Sequence, residues 1–81
     1  MKIELELKII RSGHVEASRT IGADSFSLLP IPVPTIGDHL QLVVQGTLYC
    51  GLVTNREFDL TEIEDSEEGV LKILVFADEK S

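Results

Sequence analysis

Ile3, Leu5, Leu7 and Ile9 alternate with Lys2, Glu4, Glu6 and Lys8 at the start of the chain, and this constrains the fold more than anything else in it. A period of two gives a β-strand one apolar and one charged face, and it scatters the same residues around a helix. The next apolar set is Val15, Ala17 and Ile21, so the reversal between must return it to the same face. A two-residue Ser12-Gly13 turn would set Ile9 opposite Glu16. A three-residue Arg11-Ser12-Gly13 loop instead pairs Ile9 with Val15, Leu7 with Ala17 and Lys8 with Glu16. Register therefore predicts the longer loop, with Gly13 in the left-handed region that glycine enters without steric cost. Arg19 then falls opposite Leu5 on the apolar face and is expected to snorkel to solvent.

From Gly22 to Thr35 the alternation fails. Asp24 or Ser25 can cap one helical turn containing Phe26 and Leu29, which Pro30 stops. Prolines at 30, 32 and 34 remove three amide donors. That segment is expected to run as an edge strand or polyproline II, with Ile31 and Val33 packing inward. Ile36-Gly37-Asp38 reads as a turn, Leu40, Leu42 and Val44 as a second alternating strand, and Gln45-Gly46 as its reversal. The following strand, Thr47 to Phe58, contains Gly51, read as the mark of a bulge or bend; a bent strand shared by two half-sheets suits a small barrel. The last strand, Val70 to Phe76, is apolar at nearly every position, as in a strand covered on both faces or lying at a subunit contact.

Five such segments in 81 residues predict a single all-β domain spanning 1–81. The expected architecture is a small five-stranded SH3-like barrel or curled antiparallel sheet, with an OB-like barrel as the alternative. The run from Pro34 through Ile36-Gly37-Asp38 into a Gly-turned hairpin resembles small bacterial β-proteins, and no function carries over from it.

Charge narrows the partners. Fourteen acidic against seven basic residues give a formal charge of −7, which disfavours nucleic acid and anionic membranes, since both are bound by clustered Lys and Arg. Cys50 is the sole cysteine, so no intrachain disulfide forms. With no signal-peptide core in the first residues, a cytoplasmic setting is expected.

The chemistry-bearing residues are few, and none makes a catalytic, cofactor or metal site. Glu62, Glu64, Asp65, Glu67 and Glu68 are oxygen ligands in type but lack EF-hand spacing, and they read as a solvated loop. His39 and Cys50 sit on strands expected to pair, the best case for a nucleophile and base, yet Cys50 in an apolar strand reads as a buried packing thiol. A pocket lined by Tyr49, His39 and Arg56 for a cationic ligand is the binding alternative. The favoured expectation is a non-enzymatic protein that self-associates, as a homodimer, or binds another protein. The contact residues would be Val70, Lys72, Leu74 and Phe76 of the doubly apolar strand, with Tyr49 and Arg56 as anchors.

Overall fold

The computed structural model describes residues 2–62 and 69–79. Five strands, β1 (Lys2–Arg11), β2 (His14–Ala23), β3 (His39–Val44), β4 (Thr47–Glu62) and β5 (Gly69–Glu79), form one sheet in the order β2-β1-β5-β4-β3. The sheet curls until β2 and β3 approach each other, and the barrel is nearly closed. The architecture is thus the expected all-β, five-stranded, barrel-like one. Its strand directions add something the sequence did not suggest: β1 and β5 run parallel, and the other three pairings are antiparallel.

That parallel pairing explains the composition of β5. A strand between two others, with its inner face on the core, reads as a nearly continuous apolar run. Ile73, Val75 and Ala77 point inward with Leu5, Leu7 and Ile9 of β1 and are completely buried or nearly so. Each large apolar side chain buried this way contributes about 1.5–3 kcal/mol. On the other face Leu74 lies directly between Glu6 and Glu57, and only 9% of it is exposed. Phe76 lies between Lys8 and Asn55, with the Lys8 ammonium 5.7 Å from its ring centroid. On this outer face Leu74 is buried, while Val70, Lys72 and Phe76 are half-buried.

The first hairpin corrects the expected loop. Arg11 pairs with His14 and Ile10 with Val15, so the turn has two residues, Ser12 at φ 51° and Gly13 at φ 80°. Both are left-handed, which gives a type I′ turn whose twist matches the strands. The register then shifts so that Ile9 faces Ala17. Glu16 is the bulged residue, and its insertion returns Ala17 and Ile21 to the inner face after the shorter turn. Lys8 therefore faces Ser18, and its ammonium lies 3.8 Å from Glu6 Oε2. Arg19 faces Leu7 rather than Leu5; it is exposed beside the cleft of about 400 Å³ that Leu42 and Ile31 line between β2 and β3.

The link from β2 to β3 joins the two edges of the sheet. It holds one 3-10 turn, Phe26–Leu28, begun at Ser25, and then the proline segment, which forms no strand. Leu29, Ile31 and Val33 pack against the core as a strap.

β4 is longer than expected, reaching Glu62, and it is shared by two pairings. Thr47–Leu52 pairs with β3 and Gly51–Glu62 with β5. The bulge is not at Gly51 but between Val53 and Asn55. Gly51 is needed for closeness instead: a Cβ there would lie 2.9 Å from the Asp78 carbonyl oxygen, 3.0 Å from Ala77 Cβ and 3.1 Å from Ile9 Cδ1. Sixteen residues extend roughly 50 Å, which accounts for the molecule's 47 Å long axis. No helix among the described residues is long and apolar enough to cross a membrane.

Candidate interaction surface

Cross-strand partners share a face, so the core can be followed in rows across β1, β5 and β4. Leu7–Val75 continues to Arg56, Leu5–Ile73 to Phe58, and Ile3–Leu71 to Leu60. In β1 and the inner part of β5 these rows are core. At β4 they surface: Phe58 is 56% exposed and Leu60 54%. The cause lies in β3, which pairs with β4 only over Thr47–Leu52 and does not extend past the bulge. Beyond it, Asn55–Glu62 pairs with β5 on one side and with no strand on the other among the described residues.

Arg56 belongs to this surface. It is half-buried, and its guanidinium carbon lies 5.6 Å from the centroid of the Phe58 ring, within cation–π range. The bulge before it is pinned by a turn. The Asp38 amide donates to the Thr35 carbonyl at 3.0 Å with Gly37 at φ 95°, the Gly37 amide donates to the Val53 carbonyl, and the Val53 amide donates to the Asp38 carbonyl, both at 2.9 Å. The Thr35 amide and hydroxyl donate to Asp38 Oδ2 at 2.8 and 3.1 Å. These two bonds, the backbone one first, hold the Asp38 carboxyl below its ordinary value; desolvation opposes them, and the charges of Arg56 and then His39 add smaller lowering effects.

The contact residues expected from sequence do not form one surface. Val70, Lys72, Leu74 and Phe76 share the outer face of β5, whereas Arg56 is on the inner face and Tyr49, half-buried, packs against the core. Phe58 and Leu60 were missed. Their signal was present, since Arg56, Phe58 and Leu60 alternate with Glu57, Asp59 and Thr61 as clearly as the residues of β1 alternate.

The other candidate chemistries are brought together only in part. His39 pairs with Leu52 and Gln41 with Cys50, so His39 and Cys50 are diagonal neighbours on the outer face. His39 is exposed and Cys50 half-buried, so the thiol is not in the core as expected, and no hydrogen bond joins the two among the described residues. Tyr49, on the inner face, and His39, on the outer, do not converge with Arg56 on one pocket. Of the acidic loop, Glu64, Asp65, Glu67 and Glu68 lie outside the described residues; Glu62 ends β4.

No protein-family model matches the sequence, no curated protein matches it, and no solved structure matches the fold.

Proposed function

We propose that this chain is a non-enzymatic binding module that engages another protein through the half of β4 beyond its bulge. The observation that carries the reading is the emergence of two core rows as Phe58 and Leu60, each more than half exposed, beside a strand edge without a neighbour among the described residues. Two apolar side chains on one face beside an open strand edge support recognition more than singly scattered ones do. The acidic balance and the lone Cys50 fit a reducing, cytoplasmic setting. On the outer face of β5 Leu74 is buried and Phe76 half-buried, which leaves less apolar surface there than a homodimer contact would use; a second copy is an outcome of the test.

A photo-reactive phenylalanine derivative in place of Phe58, expressed in the source cells, is expected to cross-link to a discrete protein. The same group in place of Thr20, also exposed on the opposite edge strand, is expected not to, and Leu60→Ser is expected to abolish the product. Cross-linking to the chain itself would assign the occupant to a second copy. Equal labelling from both positions, or none, would overturn the reading.

A further inference from the structure

Building on that binding reading, we infer that the free edge of β4 from Asn55 to Glu62 accepts an extended strand of another protein in which apolar residues alternate with Lys or Arg. An edge strand offers unpaired backbone donors and acceptors, and strand addition draws affinity from the main chain and specificity from alternate side chains. On the inner face the rows Leu5–Ile73–Phe58 and Ile3–Leu71–Leu60 end at this edge, so an incoming strand continues them with apolar side chains.

The outer face decides the other half of the occupant's chemistry. There the rows are Glu4–Lys72–Asp59 and Glu6–Leu74–Glu57. The first alternates in sign and stops on an acid; the second places two acids around a leucine. The next position in each row belongs to the incoming strand, and a basic residue there completes the alternation in one and offsets the surplus in the other. Both Glu57 and Asp59 are exposed and reach that position.

The same charges disfavour a second copy of this edge in the registers centred on Phe58 and on either neighbour. With two β4 strands antiparallel and Phe58 facing Phe58, Glu57 meets Asp59 twice. Moving the axis by one residue brings Glu57 against Glu57, or Asp59 against Asp59. Like charges directly opposite destabilise a pair, so the acids that protect the edge from self-pairing also select a basic partner.

The test uses the full chain and a short blocked peptide alternating lysine and valine. Two controls are a glutamate–valine peptide and the lysine–valine peptide with alternate amides N-methylated, which keeps the charge and removes the donors. The lysine–valine peptide is expected to bind and to shift backbone resonances of Arg56–Thr61. Its affinity should fall about tenfold or more on N-methylation, and likewise for Glu57→Lys/Asp59→Lys, which should instead take the glutamate–valine peptide. No binding at about 1 mM, equal binding of the N-methylated peptide, or shifts confined to β2 or β3 would each overturn the inference. Photo-cross-links from position 58 that persist in the charge-reversed chain would leave the binding module standing and remove the basic strand; loss of cross-links from the native chain would remove both.

Discussion

Gly51 shows how closely one residue can be bound to the packing of three strands. It sits where β4 packs over Ile9 and against the end of β5, with the Asp78 carbonyl closer to the place of a Cβ than real Cβ contacts allow. Since the nearest atom is backbone oxygen, relief requires β4 and β5 to move apart. Gly51→Ala is therefore expected to destabilise the fold by about 1–3 kcal/mol, and this exceeds the ~0.4–1 kcal/mol that alanine recovers by stiffening the unfolded chain. Urea unfolding checks it; a variant as stable as the native chain would show that β4 does not approach β5 this closely. In the sequence Gly51 read as the mark of a bulge or bend, because a strand glycine signals an irregularity without saying which kind.

Among the elements, the first hairpin carries the clearest lesson. Face parity argued against a two-residue turn, and the parity argument was sound; the strand satisfied it by bulging at Glu16 instead of lengthening the loop. Both solutions put Gly13 at positive φ, so the same substitution tests either. Gly13→Val is expected to cost about 1 kcal/mol or more, because a β-branched residue is strained in the left-handed region. Nothing surrounds that position, so the loss is conformational and not steric. Ser12→Asn, at the other left-handed position, is expected to be neutral or slightly stabilising, since asparagine tolerates that region better. Thermal melts of the two variants check the pair, and equal melting of Gly13→Val and the native chain would refute the turn. The second hairpin repeats the geometry with Gln45 at φ 51° and Gly46 at φ 81°, where the sequence reading of the reversal was right.

At the scale of the whole molecule, two antiparallel units are joined along the parallel β1–β5 seam, and the proline strap spans the mouth between their outer edges. Stability should be distributed accordingly, highest in the seam and lowest at the unpartnered edge. Amide hydrogen exchange is expected to be slowest in β1 and β5. The amides on the free side of Asn55–Glu62 should exchange at least about a hundredfold faster than those bonded to β5. Uniform protection along β4 would mean that its edge is already covered in the free protein.

What the sequence determined by itself was local: the strands through their period of two, the turns through Gly13 and Gly46, and the all-β class that follows from them; it left the proline segment as an edge strand or polyproline II, and the structure forms no strand there. Backbone sterics and alternation operate over a few residues, so these are written in neighbouring positions. Strand order, the parallel seam and the exposure of Phe58 and Leu60 were decided only in three dimensions. A side chain's pattern says which face it shares with its neighbours, but burial depends on what lies across that face. Phe58 and Leu60 alternate with charged and polar neighbours as the core residues of β1 do, and their exposure goes with the end of β3 pairing at the other half of their strand.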